Sequence, residues 1–392
     1  MPILQTRRSF LASAAALPFA LRTFATSAFA DPVSAHPRWI LLGTGTDKGI
    51  FRAAWNAATG ELSNIQAAAP AQHPSFLAMH PTLPILYAVN EIPEGNGVLS
   101  SFQLDPATAT LTQLQRVSTG GNGPCYVSVE HTGGAAFVAN YGGGSFAAFS
   151  LGHTGALHNA AATFRCNNNP ACGTLGPNKD RQEAAHMHCA VVSPDNRFVL
   201  VCNLGEDAIE IFPIHPSAPG PVEAPTRFAA RPGSGPRHLA FHPNGRWLYC
   251  IHELDCTVDL YDWNVSNGLP SPVLRKDSVF STLTPGASLT GNTACELSIS
   301  PDGHLLYANT RGVDSLVVCR IDPSTGLLTE QQRIKTGGFT RHFTFDPSRR
   351  WLLCANQTDA SVTVFAHDPT TGHLAETPKS FAVDIPMFIQ FV

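Results

Sequence analysis

The chain has 392 residues, a formal net charge of −4 and only 14% charged residues, so it lacks the basic face that nucleic-acid binding requires. Hydrophobic residues make up 43% of the chain, enough for a large core. The 32 glycines and 31 prolines indicate frequent turns rather than long helices.

The N-terminal residues have the features of an export signal. Arg7 and Arg8 stand directly before Ser-Phe-Leu, an apolar run follows, and a small-x-small cleavage site ends at Ala30. We therefore predict a twin-arginine signal over residues 1–30 and a single mature domain over residues 31–392, periplasmic or secreted. No later segment approaches the roughly 20 continuous apolar residues of a transmembrane helix, so no membrane association is expected after signal removal.

Six segments of the chain share one pattern: an apolar run, a turn, a second apolar run, a polar break and a third apolar run. The runs are short and bounded by Pro, Asp, Asn and Gly, which is typical of β-strands. The turns recur roughly fifty residues apart, the period expected of a β-propeller. These turns lie at Pro81, His131, Pro194, Pro243, Pro301 and Pro347.

The two ends of the mature chain predict a seventh unit. The segment RWILLGTGTDKGIFRAAW, which begins at Arg38, is similar to the second and third strands of the unit RWLYCIHELDCTVDLYDW at Arg246. Its missing first strand matches the C-terminal PMFIQFV in position. We therefore predict an all-β fold, a seven-bladed propeller whose C-terminal strand completes the first blade and so protects two sheet edges.

Charged and titratable residues recur at the hairpin ends that lie farthest from the turns. The two strands of a hairpin are antiparallel, so these far ends lie side by side. In a propeller the first strand of each blade lines the central channel, and the far ends therefore meet around one mouth of that channel. The residues at these ends include Glu91, Tyr141, His188, Arg237, His252, Glu253, Arg311 and Arg341, with His186 two residues before His188 on the same side of the strand.

This set of residues suits a small anionic or polyhydroxylated ligand. Arginine binds carboxylate or phosphate through two N–H groups, and His and Glu can transfer protons or position water. Arg237, Glu253 and Arg311 belong to residue types that are seldom buried without a partner or ligand, whereas Arg341 and Glu91 also fit ordinary solvated strand ends. We predict no cofactor and no metal, because neither a zinc spacing nor a set of oxygen ligands stands out.

Several other polar residues of the repeats are predicted to be structural. His238 and His342 follow the channel positions in sequence, so we expect them to point the other way and pack in the sheet. Cys166 and Cys172 share a polar loop, and an oxidising compartment would allow them to form a disulfide. The asparagines that recur at one position are expected to bond the backbone at strand ends: Asn90, Asn140, Asn203 and Asn356.

The chain resembles the seven-bladed propeller lactonase family over about residues 38–392. Three motifs carry the resemblance: HMHCAVVSPDNRFVLV, GPRHLAFHPNGRWLYCIHEL and ELSISPDGHLLYANTRGVDSL. The family includes propeller-type 6-phosphogluconolactonases and carboxymuconate cycloisomerases. Carried over residue by residue, the resemblance implies an active site of His186 or His188, Arg237, Glu253 and Arg311.

The sequence also departs from the family pattern. His252 and Thr310 stand where the family has asparagine. An export signal is unexpected for a phosphogluconolactonase of central metabolism, so an exported relative is expected to meet unphosphorylated sugar lactones.

We therefore predict a hydrolase that opens a sugar-acid lactone without a serine nucleophile, since no G-x-S-x-G motif is present. Arg237 and Arg311 would hold a carboxylate or polarise the lactone carbonyl. Either Glu253 or His188 would be the base, and the other would protonate the leaving alkoxide. Two alternatives stay open: a muconate-type cycloisomerase and a non-catalytic periplasmic binding propeller. The residues predicted to contact substrate without taking part in the chemistry are His186, His252, Arg341, Glu91 and Tyr141.

Overall fold

The computed structural model describes residues 38–392, except residues 93, 94, 167, 168, 170, 171, 217, 219, 267 and 268. The described residues form seven antiparallel sheets that are arranged as the blades of a propeller, as predicted. No helix among them is long and apolar enough to cross a membrane. The predicted twin-arginine signal over residues 1–30 lies outside the described residues.

Blade 1 joins the two ends of the described chain. Its innermost strand is the C-terminal Pro386–Phe391, which pairs antiparallel with Arg38–Thr44. Ile50–Asn56 and Glu61–Ala69 complete the sheet. The prediction that the C-terminal strand completes the first blade is thereby confirmed.

The other blades follow in chain order, and in each the first strand is innermost. Blade 2 has Phe76–Met79, Ile85–Asn90, Val98–Asp105 and Thr110–Ser118. Blade 3 has Pro124–Val129, Ala135–Asn140, Ser145–Leu151 and Leu157–Arg165. Blade 4 has Met187–Val192, Phe198–Asn203, Ala208–Pro213 and Thr226–Ala229, with a 3₁₀ helix at Leu204–Glu206.

Blade 5 has Pro236–Phe241, Trp247–His252 and Thr257–Asp262, and two short strands, Val273–Leu274 and Phe280–Ser281, share its outer edge. A small hairpin of Val265–Ser266 and Leu269–Pro270 follows the third strand. Blade 6 has Thr293–Ile299, Leu305–Arg311, Ser315–Ile321 and Leu328–Lys335. Blade 7 has Thr340–Phe345, Trp351–Asn356, Ser361–Ala366 and Lys379–Ala382.

The core lies between the blades. Each innermost strand contacts the innermost strands of both neighbouring blades, so the ring is closed. The second strands are buried on both faces because each blade packs against a neighbour on either side; Ile85–Asn90 and Phe198–Asn203 are buried at every position. This double burial explains why these strands read as continuous apolar runs rather than alternating ones.

Two histidines at equivalent turns link neighbouring blades. His80 Nε2 lies 3.2 Å from the carbonyl oxygen of Gly133, and His242 Nε2 lies 2.8 Å from that of Gly303. Both glycines have positive φ, and a Cβ on either would lie within 2.5 Å of the histidine ring. Glycine is therefore required where the two turns meet. These histidines therefore have a structural role.

A disulfide joins Cys166 and Cys172, a pairing that the sequence allowed but left open. It lies beside Glu206 of the 3₁₀ helix of blade 4, whose carboxylate accepts a hydrogen bond from the backbone N–H of Gly173 at 3.1 Å. The disulfide therefore lies at the start of the segment that connects blades 3 and 4.

Candidate active site

A β-bulge recurs in the innermost strands at the channel mouth. In blade 5 the pairing of the first two strands runs from Pro236–His252 to His238–Ile251, which leaves Arg237 without a partner. The extra residue of a bulge leaves the ladder, and its side chain is re-aimed. Four of these side chains, Cys125, His188, Arg237 and Arg341, line the channel. The residues left out in this way are Cys125, His188, Arg237, Arg341 and, in blade 6, Cys295 with Glu296.

Glu253 is at the centre of the site. It follows the second strand of blade 5, is only 3% exposed, and its carboxylate is surrounded by cations. Its Oε1 lies 2.5 Å from Arg181 and 3.2 Å from Arg311. Its Oε2 lies 3.0 Å from Arg237 Nε and 3.9 Å from His188 Nε2. One carboxylate cannot balance three guanidiniums, so the cluster keeps a net positive charge that favours an electron-rich ligand.

A cavity of about 460 Å³ opens at this cluster. Arg237 does not line it but lies beneath, along the narrow continuation of the channel. Across the cavity Arg341 forms a second ion pair, 3.0 Å from Glu91. The predicted site residues that line the cavity are Glu91, Tyr141, His188, Glu253, Arg311 and Arg341.

The two candidate bases both have lowered pKa values, for different reasons. Burial alone would raise the pKa of Glu253, but the guanidiniums of Arg311, Arg237 and Arg181 hold it well below its usual range. Burial, with the charge of Arg237, lowers the pKa of His188 well below 6.5. At neutral pH the carboxylate is therefore ionised and the imidazole neutral. His188 Nδ1 is buried without a hydrogen-bond partner among the described residues, while Nε2 faces the Glu253 carboxylate.

His238 and His342 do not point away from the channel, so that prediction was wrong. Both line the narrow continuation of the channel below the cavity, because the bulge interrupts the strand alternation on which the prediction relied. His238 Nε2 lies 3.3 Å from Arg237 Nη1, and His238 Nδ1 lies 2.9 Å from Glu296 Oε1. A guanidinium only donates, so His238 accepts at Nε2 and donates from Nδ1 to Glu296. The pair thus holds Arg237 from the side opposite Glu253.

Replacing His342 by phenylalanine is expected to flatten the acid dependence of stability. Burial lowers the pKa of His342 to about 4, against roughly 6.5 in an unfolded chain. The unfolded state therefore takes up the proton first, and the stability contribution of this histidine is complete above pH 6.5 and lost as the pH falls towards 4. His342→Phe keeps a ring beside Phe388, which lies 4.0 Å away between ring centroids. The substitution removes the imidazole that takes up the proton.

The measurement is the urea midpoint at several pH values between 7 and 4. The variant also loses the bond in which the Ile389 N–H donates to His342, so the comparison uses the slope with pH rather than the absolute midpoint. His373→Gln, at an exposed histidine, is the control and should keep the wild-type slope. An unchanged slope in His342→Phe would contradict the assignment of a buried, neutral His342.

The structure also corrects the prediction that His252 contacts substrate. His252 is fully buried inside blade 5, lines neither cavity at the channel, and lies 3.2 Å from Asp259. Burial opposes its charge, but Cys250 and Asp259 together raise its pKa. The His252 side chain points into the sheet, as do the asparagines at the same position in other blades. Asn90, for example, donates to the Gln72 carbonyl at 2.6 Å, and Asn140 to that of Thr119 at 3.3 Å.

His186 lies behind the cavity rather than in its wall. Its ring stacks on Tyr141 with a centroid distance of 4.3 Å, and Nε2 lies 3.0 Å from Glu183 Oε1. Tyr141 in turn accepts a hydrogen bond from Arg181 at 3.1 Å. The position of His186 favours His188 as the histidine of the active site.

Sequence reasoning missed three charged residues of this region: Arg181, Glu183 and Glu296. The first two belong to the segment between blades 3 and 4, which lies outside the repeat pattern. Glu296 is adjacent to Cys295 in a bulge, which strand alternation in the sequence does not reveal. The signal that could have found Arg181 was its place, five residues before His186 in an insertion next to the mouth.

A larger concavity of about 930 Å³ lies at the turn side of blades 2 to 4. His80, Thr132 and His153 are among its lining residues, and no Arg, Lys, Asp or Glu lines it within the described part of the chain. Its size does not make it the better candidate, because it lacks the clustered charges that recognition of a lactone and proton transfer require.

Comparisons with known proteins agree with this geometry. Residues 39–391 match the family described as "Lactonase, 7-bladed beta-propeller". A 6-phosphogluconolactonase of Bacillus subtilis is 28% identical over 349 residues, which cover 89% of this chain and 95% of that protein. A 6-phosphogluconolactonase of Formosa agariphila is 29% identical over 355 residues, covering 88% and 97%.

A solved structure shows the same similarity in three dimensions. The periplasmic gluconolactonase of Pseudomonas aeruginosa superposes with a TM-score of 0.80 at 30% identity, covering 91% of this chain and 99% of that one. The match extends around the whole ring, so it includes every blade that contributes to the cavity.

Proposed function

The chain belongs to the seven-bladed β-propeller lactonase family, and on this basis we propose that it hydrolyses a sugar-acid lactone in the cavity at Glu253. The predicted class, a lactone-hydrolysing enzyme, is confirmed by these relatives. The comparisons do not favour the cycloisomerase or the non-catalytic binding propeller. The residue roles below are our proposal.

The observation that carries the proposal is that a neutral histidine, His188, and an ionised carboxylate, Glu253, line the same cavity. Three arginines surround this carboxylate. His188 accepts a proton from water as the water oxygen attacks the lactone carbonyl carbon. The imidazolium that forms is stabilised by Glu253, whose Oε2 lies 3.9 Å from Nε2. The ring C–O bond then breaks, and the imidazolium returns the proton to the leaving alkoxide. The product is the open hydroxy acid, and no covalent intermediate forms.

The arginines divide into two roles. Arg311 lines the cavity, lies 4.8 Å from the Phe339 ring centroid, and can stabilise the negative charge that develops on the carbonyl oxygen. Arg237 lies beneath the cavity and holds Glu253. Carbonyl polarisation is thus assigned to Arg311 and positioning of Glu253 to Arg237, whereas the sequence predicted the same role for both arginines.

We propose an unphosphorylated substrate of the gluconolactone type. Arg181, Arg237 and Arg311 share the carboxylate of Glu253, and Arg341 pairs with Glu91, so every guanidinium of the site is already engaged, and the remaining positive charge suits the developing oxyanion of a lactone. The same substrate class fits export through the predicted signal of residues 1–30. The structural neighbour from Pseudomonas aeruginosa, named as periplasmic, supports a location outside the cytoplasm.

The test is a panel of lactones followed by pH-stat at low buffer concentration, which limits spontaneous hydrolysis. The panel contains glucono-1,5-lactone, its 6-phosphate, a simple aliphatic lactone and a muconolactone. We expect the highest kcat/KM for gluconolactone. A strong preference for the 6-phosphate would contradict the substrate class, and turnover of muconolactone alone would select the cycloisomerase.

A further inference from the structure

The guanidinium of Arg181 differs from the others around Glu253. Arg237 and Arg311 extend from blades and have side chains only 2% and 5% exposed, whereas that of Arg181 is 36% exposed. Arg181 belongs to the segment between blades 3 and 4, not to a strand. It bonds Glu253 Oε1 at 2.5 Å and the Tyr141 hydroxyl at 3.1 Å, and it lines the cavity.

The segment that carries Arg181 is anchored where it crosses the 3₁₀ helix of blade 4. Gln182 is 1% exposed, donates to the Leu204 carbonyl at 2.9 Å and accepts from the Asn178 N–H at 3.0 Å. A Cβ on Gly205 would lie 1.8 Å from the Ala184 carbonyl oxygen, so the two chains touch backbone to backbone. Before Arg181, the Gly176 N–H donates to the Gly205 carbonyl at 2.9 Å. The segment is therefore held on both sides of Arg181.

We propose that Arg181 is a positioning residue of the active site, which caps Glu253 from the solvent side and keeps its carboxylate directed at His188. The proposal rests on the proposed function, lactone hydrolysis at this cavity. Arg181 reaches Oε1, so Oε2 stays with Arg237 and His188. As the most exposed of the three cations, it is also the one that an entering substrate contacts first.

The effect of removing Arg181 on Glu253 follows from the groups around the carboxylate. The guanidinium of Arg181 is one of three that lower the pKa of Glu253. Without it that pKa rises, and Glu253 becomes protonated at a higher pH than in the wild type. The charged and titratable groups that face Glu253 are Tyr141, Arg181, His188, Arg237, Cys256 and Arg311.

The experiment compares Arg181→Gln, Arg181→Lys and the control Lys179→Gln by kcat/KM for gluconolactone between pH 4 and 9. Lys179 is exposed on the same segment, so the control removes one positive charge without touching the site. Arg181→Gln should lower kcat/KM about 10- to 100-fold, the cost of misplacing a catalytic group, and the loss should fall on kcat rather than on KM. Arg181→Lys should recover part of the rate because it keeps the charge, and Lys179→Gln should match the wild type.

An unchanged rate and pH profile in Arg181→Gln would overturn the proposal. A loss that falls on KM alone, with no recovery by lysine, would also overturn it, since that pattern indicates a role other than positioning of Glu253. If the wild type hydrolyses no lactone, the proposed function fails, and the Arg181 proposal is tested separately by the NMR chemical shift of the Glu253 carboxyl carbon at pH 7. The proposal then requires this chemical shift to change in Arg181→Gln and not in Lys179→Gln, and an unchanged shift in Arg181→Gln would overturn it.

Discussion

Glu253→Gln is expected to lower kcat/KM for gluconolactone by about 10²- to 10⁴-fold, the range for losing a group that supports proton transfer. Glutamine keeps the shape of the side chain but removes the negative charge that stabilises the His188 imidazolium. It also leaves the guanidiniums of Arg181, Arg237 and Arg311 without their shared carboxylate. The measurement is pH-stat hydrolysis under conditions where the variant is folded by circular dichroism.

The control for this variant is Glu61→Gln, which removes a carboxylate from the outer strand of blade 1, far from the channel mouth. It should hydrolyse gluconolactone at the wild-type rate. If Glu253→Gln were also fully active, the site would have been placed at the wrong carboxylate, although membership of the lactonase family would stand.

Arg237→Ala is expected to destabilise the fold and to inactivate the enzyme. Arg237 is 2% exposed, pairs with Glu253 at 3.0 Å and contacts His238 on its other side. Removing one partner of a buried ion pair leaves the other charge uncompensated and typically costs about 3 to 5 kcal/mol. Because Arg181 and Arg311 still neutralise Glu253, we expect a value of about 3 kcal/mol, at the lower end of that range.

The cost is measured as the change in free energy of unfolding in urea, and activity is assayed below the unfolding transition. A double-mutant cycle with Glu253→Gln separates the ion pair from the loss of packing. The double variant should be destabilised by less than the sum of the two single variants. Strict additivity would show that Arg237 and Glu253 do not interact, contrary to the short contact.

The propeller was predictable because its determinants are local and repeated. Apolar runs bounded by Pro, Asn, Asp and Gly define the strands, and their period of roughly fifty residues defines the blades. Even the closure of the ring could be read from the sequence, since Arg38 begins a unit without a first strand and PMFIQFV supplies one. The far end of each hairpin could be located by counting residues from its turn, and these ends could therefore be placed around one mouth of the channel.

The errors have two physical causes. The predictions for His238 and His342 assumed strict alternation along a strand, and the bulges at Arg237 and Arg341 break it. His252 was assigned to the mouth by its position in the sequence, yet it points into blade 5 towards Asp259. A bulge leaves no clear mark in a single sequence, whereas backbone pairing in three dimensions shows it directly.

The sequence by itself determined the class of the protein: an all-β propeller of seven blades, and a cluster of Arg, His and Glu at one end of its channel. Only the tertiary structure decided which of these groups touch one another. Arg181 lies 72 residues from Glu253 in the chain, on a segment with no repeat pattern, and it reaches the carboxylate only because the blades curve into a ring. These contacts decide which groups are ionised, because the guanidiniums keep Glu253 charged and burial keeps His188 neutral. The protonation states on which the proposed mechanism depends are therefore set by the packing of the blades and not by local sequence.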